Sequence, residues 1–413
     1  MKVLIKSGRV LNPATNLDGV RDILVIDDKV EKISEYIDEP ADYIIDAYGC
    51  FVMPGLIDLH VHLREPGFEY KETIETGSRA ALRGGFTTVC AMPNTKPSTD
   101  CPEIVRQIVD KAREVSPIDV LPVGAVTKGQ MGAEVTDIAG MKNAGICAIS
   151  EDGKSVMNSQ VYREAMKIAA KENVPVLAHC EDINLVHGGA LSHDIPNAVE
   201  DIIVARDILL AKETGAKLHL CHCSTKDGVE MVRQAKADGL PVTAEVCPHH
   251  FTLCDEDVDR NDANYKMNPP VRSREDLNAL IEAIRNDVVD VIATDHAPHS
   301  AEEKARDIYA APFGIVGLET AVALTITELV DKSVISPLQM AAKMSYNPAR
   351  VLGIDKGDIS EGKIADITII DPSKEYVINP DEFVSKGKNT PFGGKKVKGM
   401  VKWVIKDGKV NVI

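Results

Sequence analysis

The sequence predicts an α/β fold: a (β/α)8 barrel (TIM barrel) with a small β-sandwich domain formed by the N- and C-terminal segments. Three observations lead there. Eight apolar, strand-like runs alternate with helix-length amphipathic stretches between residues 53 and 355. That span of roughly 300 residues is the length such a barrel takes. Residues 1–52 and 356–413 are rich in short β signals instead, so the two ends are expected to pair with each other.

Taken in order, KVLIKSGRV, DILVIDDKVEKI and DYIIDA read as strands of the first segment, with Asp27–Asp28 as a tight turn. The eight barrel runs are GLIDLHVH, FTTVCAM, DVLPVGAV, ICAIS, VPVLAHC, KLHLCHC, LPVTAEV and VDVIATD. Between them, ETIETGSRAALRGG, PEIVRQIVDKAREV and VYREAMKIAAKEN carry helical periodicity, and the last should stop at Asn173 before Val174–Pro175. The C-terminal segment supplies DITIID and VKWVIKDGKVNVI, with Asp407–Gly408 as a hairpin turn. The domain boundaries are therefore placed at 1–52, 53–355 and 356–413.

Composition excludes several classes of function. The chain has 413 residues, 44% hydrophobic and 27% charged, with a net charge of −16. No basic block or aromatic-rich basic stripe marks a nucleic-acid surface. No run approaches the ~18 apolar residues of a membrane span, and the N-terminus starts like a strand rather than a signal peptide. A cytoplasmic protein is expected. Its nine cysteines, scattered through apolar segments, are read as reduced and buried.

A barrel builds its active site at the C-terminal ends of its strands. His60 and His62 sit there on the first strand, two apart and so on one face. Asp152 follows the fourth strand, His179 ends the fifth, His222 the sixth and Asp295 the eighth. Four imidazoles and two carboxylates suit zinc or a similar divalent ion, and the count fits two metals sharing a carboxylate better than one. Asp58, deeper on the same face, is expected to support the histidines by hydrogen bonding. His219, three positions before His222, should point the other way. His249 and His250 either line the mouth or pack, while His187 and His193 belong to a polar surface loop.

The motifs PGLIDLHVHLREPG, MPNTKP, SEDG, LAHCED, CHCSTK, CPHHF, MNPPVR, ATDHAPH and APFGIVGLET resemble, in order, those of class I dihydroorotases of the amidohydrolase superfamily. The resemblance spans nearly the whole chain. It implies a zinc-dependent, reversible cyclisation of N-carbamoyl-L-aspartate to L-dihydroorotate in pyrimidine biosynthesis. It implies two zinc ions per subunit, with one as the alternative, held by His60, His62, Asp152, His179, His222 and Asp295. Asp152 is favoured as the bridge over Glu151 or a modified Lys154. Asp295 is the expected proton carrier. Substrate contacts carry over onto His62, Leu63, Arg64, Asn94, Asn268, His299, Phe313 and Gly314; turn formation beside proline is the other reading of Asn94 and Asn268. Ser300–Ala311 is either a mobile lid or a plain surface turn. A homodimer and a complex with aspartate transcarbamoylase are further implications. The competing readings are a hydantoinase or allantoinase, and a non-catalytic scaffold for aspartate transcarbamoylase.

Overall fold

The computed structural model describes residues 1–186 and 188–413; the surface placement expected of His187 lies outside the described residues. The N-terminal β signals form β1 (Lys2–Asn12), β2 (Leu17–Ile26), β3 (Lys29–Ser34), β4 (Tyr43–Asp46) and β5 (Phe51–Pro54). The barrel follows with β6 (Leu56–Val61), β7 (Phe86–Ala91), β8 (Asp119–Ala125), β9 (Ala148–Ser150), β10 (Val176–Ala178), β11 (Leu218–Leu220), β12 (Val242–Val246) and β13 (Val291–Ile292). The C-terminal segment adds β14 (Ile367–Val377), β15 (Lys396–Lys406) and β16 (Lys409–Val412).

The two ends of the chain share one sheet. β14 lies antiparallel on β5, with Ile367 opposite Pro54 and Ile370 opposite Phe51, and the strand order runs β16-β15-β14-β5-β1-β2-β3. β4 pairs in parallel with β1. Apolar residues from both ends, among them Val3, Ile23, Val52, Ile367 and Ile405, close into one buried cluster. The β2–β3 and β15–β16 turns meet at their tips, where Asp27 (φ 54°) and Asp407 (φ 48°) take left-handed conformations. A Cβ on Gly408 would fall 1.6 Å from the Asp27 carbonyl oxygen, so only glycine lets the tips touch.

The barrel strands are parallel and stand in sequence order from β6 to β13. β6 and β7 are buried at every residue, the pattern of strands covered on both faces. The barrel closes where the His62 N–H donates to the His296 carbonyl at 2.8 Å. The helices match the amphipathic stretches. Thr73 caps the helix Ile74–Arg83 with a reciprocal Thr73–Thr76 pair of hydrogen bonds. The helix Ser159–Glu172 ends at Asn173, whose φ of 55° stops it as expected. No helix among the described residues is long and apolar enough to cross a membrane, and the nine cysteines are all free of disulfides.

Candidate metal centre and substrate cavity

His60 lies within β6, and the other candidate ligands follow the ends of their strands, where sharp backbone turns occur. Arg64 (φ 62°), His222 (φ 33°) and Asp295 (φ 49°) all hold left-handed conformations, which non-glycine residues take at some cost. Such outliers concentrate at sites whose geometry is worth that strain.

The six candidate ligands converge at this rim of the barrel. Asp152 is the hub: its Oδ1 lies 3.1 Å from His60 Nε2, 3.4 Å from His179 Nδ1 and 3.9 Å from His222 Nε2, and its Oδ2 lies 3.4 Å from His62 Nε2. Asp295 Oδ1 faces His62 Nε2 at 3.1 Å and His60 Nε2 at 3.5 Å. Glu151 turns away, accepting from Thr127, and Lys154 donates to the Gln130 carbonyl at 3.3 Å. Asp58 lies beneath, its Oδ1 accepting the backbone N–H groups of His60 and Thr294 at 3.0 and 3.2 Å.

The donor set fits divalent cations. Two triads, His60–His62–Asp295 and His60–Asp152–His222, each hold their ligand atoms within 4.8 Å of one another. His60 Nε2 is buried without a hydrogen-bond partner, and His179 Nδ1 and His222 Nε2 approach to 2.9 Å. Among the described residues, the ion-pair partners of Asp152 and Asp295 are all imidazoles, so no Arg or Lys neutralises them by contact. Nitrogen and carboxylate donors converging at buried positions suit zinc or a similar ion.

Electrostatics follow from the crowding. Burial works against the charge of Asp295 and Asp152, but the nearby imidazoles hold both carboxyls below the ordinary range. Burial also works against a charged His179, yet hydrogen bonds to Asp152 and Glu181 raise it to about 10. Burial pushes His249 down to about 4. His249 and His250 pack away from the mouth, both 3% exposed, and His250 Nε2 donates to the Pro269 carbonyl at 3.0 Å.

Above the ligand cluster lies a cavity of about 170 Å³, a volume for a small molecule. It is lined by His62, Arg64, Asn94, Asp152, Gly153, His179, His222, Asn268, Asp295, Ala297, His299, Phe313 and Gly314. The Leu63 side chain is 2% exposed and packs in the core against Gly77, so any part Leu63 has in the cavity falls to its backbone. Asn94 does more than shape a turn, since its Oδ1 meets His62 Nδ1 at 2.8 Å and its Nδ2 donates to Asp152 at 3.1 Å. Asn268 donates to Glu181 at 2.8 Å.

On the far wall, Arg64 Nε donates to the Pro298 carbonyl at 3.2 Å and an Nη lies 3.3 Å from His299 Nε2. The segment after His299 is docked. Ser300 caps the short helix Ala301–Lys304, Glu303 pairs with Lys71 at 3.0 Å, and Lys304 Nζ donates to the carbonyls of Lys266, Pro312 and Gly314. Sequence reasoning missed Lys71, Lys304, Glu181 and Glu245. Two of these carried a signal: Glu181 stands two residues beyond His179, and Glu245 is an acid inside an otherwise apolar strand run.

Comparison with known proteins agrees with this geometry. Residues 51–411 match the model of the amidohydrolase family. The chain is 47% identical over 420 aligned positions to a dihydroorotase of Pelotomaculum thermopropionicum, covering 99% of this chain and 98% of that one. A dihydroorotase of Bacillus cereus aligns with the same identity and coverage. Among solved structures, an L-hydantoinase from Arthrobacter aurescens superposes with a TM-score of 0.92 at 28% identity, covering 100% of this chain and 97% of its own. A D-hydantoinase from Thermus sp. gives a TM-score of 0.86 at 26% identity, covering 99% and 95%. The chain belongs to the amidohydrolase family.

Proposed function

We propose that this protein is a dihydroorotase, a metal-dependent cyclic amide hydrolase that interconverts N-carbamoyl-L-aspartate and L-dihydroorotate. The observation that carries this reading is the cavity itself. Its floor is the cluster of metal-binding donors, and its wall presents Arg64, Asn94, Asn268 and His299, groups suited to a substrate that bears a carboxylate. Full-length relatives at 47% identity carry the same name.

His60, His62, Asp152, His179, His222 and Asp295 would hold two zinc ions, with Asp152, the residue nearest most of the imidazoles, between them. When bound, such a pair lowers the pKa of water and polarises the amide carbonyl. Asp295 accepts the proton of the attacking water and delivers it to the ring nitrogen as the carbon–nitrogen bond breaks. In the biosynthetic direction the carbamoyl nitrogen bonds to the carbon of the protonated side-chain carboxyl and loses a proton to Asp295, which passes it to the departing hydroxyl so that water leaves. Arg64 grips the substrate carboxylate by parallel charge-assisted hydrogen bonds. Asn94, Asn268, His299 and the backbone at Leu63, Phe313 and Gly314 position the ring. The docked Ser300–Ala311 segment closes the cavity from above.

The proposed amidohydrolase domain, residues 53–355, lies between the β segments 1–52 and 356–413, with Met53 and Pro54 completing β5 of the end sheet before the barrel begins at β6. A cytoplasmic homodimer, able to associate with aspartate transcarbamoylase, completes the proposal. The test is a side-by-side assay of the zinc-loaded protein on dihydroorotate, hydantoin and allantoin. Dihydroorotate should be turned over fastest; preference for either other ring would replace this reading with that of a different cyclic amidohydrolase.

A further inference from the structure

A buried chain of hydrogen bonds leads from His60 to the opposite end of the barrel. His60 Nδ1 lies 3.1 Å from Glu245 Oε1, Glu245 Oε2 lies 3.0 Å from His219 Nε2, and His219 Nδ1 lies 2.8 Å from Thr243 Oγ1. Glu245 also accepts the backbone N–H of His222 at 3.2 Å. His60, Glu245 and His219 are each no more than 1% exposed. The chain ends at a cavity of about 300 Å³ lined by His219 and Thr243 together with Pro175, Lys217, Pro241 and Asp290. Pro175, Lys217, Pro241 and Asp290 immediately precede β10, β11, β12 and β13, so this cavity lies at the N-terminal end of the barrel, opposite the rim that carries the candidate ligands.

The two bonds to Glu245 have a definite polarity. A carboxylate only accepts, so His60 donates from Nδ1, which leaves Nε2 as the ring nitrogen available to a cation. That nitrogen is the one left without a partner beside Asp152 and Asp295. For the same reason His219 donates from Nε2, and its Nδ1 shares a hydrogen bond with the Thr243 hydroxyl, which also reaches the Leu218 carbonyl at 3.5 Å. Each member thus fixes the tautomer or the orientation of the next, and Glu245 steadies two ligand-bearing segments at once.

We propose that Glu245, held in place by His219 and Thr243, is a positioning residue that presents His60 Nε2 to the cation and sets how tightly the site near His60 binds it. The inference rests on the metal-dependent reading of the centre. Carboxylates behind metal-bound imidazoles commonly contribute 10–100-fold in affinity, which sets the scale here at about that size. Thr243 touches neither the substrate cavity nor a ligand, so its effect on the metal must travel through the chain.

The experiment is competition of zinc against a chromophoric chelator, with the full chain stripped of metal, for the wild type and for Glu245→Gln, Thr243→Val and Thr243→Ser. One binding step should weaken by roughly 10–100-fold in Glu245→Gln. Thr243→Val should weaken the same step by a smaller factor, and Thr243→Ser, which keeps the hydroxyl, should restore it. Wild-type affinity in both Glu245→Gln and Thr243→Val would overturn the relay while leaving the metal centre standing. If Glu245→Gln does not fold, equal affinities in Thr243→Val and Thr243→Ser overturn it on their own. A wild-type chain that takes up no zinc would instead overturn the metal-dependent reading, and the relay with it.

Discussion

Asp295 Oδ1 lies 3.1 Å from His62 Nε2, on the cavity side of the ligand cluster, with its backbone in a left-handed turn. A carboxylate there touches both the metal donors and the space where a ring would sit. Asp295→Ala should therefore lower kcat by at least about 10³-fold, the upper range for losing a general acid–base group. Circular dichroism and thermal unfolding should stay near wild type, because the side chain packs no apolar core. Residual turnover within about tenfold of wild type would remove Asp295 from proton transfer.

Arg64 is braced by the Pro298 carbonyl and by His299, which leaves its guanidinium facing the cavity. Arg64→Met keeps much of the stem and removes the fork. Charge-assisted hydrogen bonds contribute about 1.5–3 kcal/mol each, so KM should rise on the order of 10–100-fold while kcat changes less. Steady-state kinetics on dihydroorotate separate the two constants; an unchanged KM would argue against the carboxylate clamp.

Lys304 is half-buried, and that burial pushes its amine down to about 7, while its Nζ reaches the carbonyls of Lys266, Pro312 and Gly314. Those bonds tie the helix Ala301–Lys304 to the loop that carries Phe313 and Gly314. Lys304→Met should leave these acceptors without their donor, destabilise the fold by about 1–3 kcal/mol and raise KM. Chemical denaturation and kinetics together test it, since a purely structural role would change stability and leave KM alone.

Acid stability tests the contact between the docked segment and the barrel. Burial opposes the charge of Glu303, but its hydrogen bond from Lys71 and the Ser300 N–H hold the carboxyl down to about 2, against an ordinary 4.5. A depressed folded-state value means that the stabilisation is complete above pH 4.5 and is lost as pH falls toward 2. Solvent screening limits it to about 1 kcal/mol. Glu303→Gln should flatten the pH dependence of unfolding free energy between those limits; an identical slope would contradict the ion pair.

The fold was legible because parallel barrel strands, buried on both faces, read as apolar runs, and each of GLIDLHVH through VDVIATD contains one. The convergence of the six candidate ligands was legible because residues at the C-terminal ends of barrel strands share one rim. What escaped was support that comes from distant segments. Glu245 reaches His60 across 185 positions and Lys71 reaches His299 across 228, contacts that no local pattern encodes. His219 and His222 part company for a reason that strand parity did not supply: β11 ends at Leu220, and a left-handed turn at His222 sets its direction. His249 and His250, ambiguous in sequence, pack because the turn after β12 folds them into a short helix, Pro248–Thr252.

The central claim is that four imidazoles and two carboxylates seat the metal ions that drive the ring chemistry. Its most direct test is a zinc titration of the stripped protein, following dihydroorotate turnover and bound metal together. Turnover should be absent without metal and should rise with zinc to a plateau at two equivalents per chain. Full turnover in protein shown to be metal-free would contradict the account.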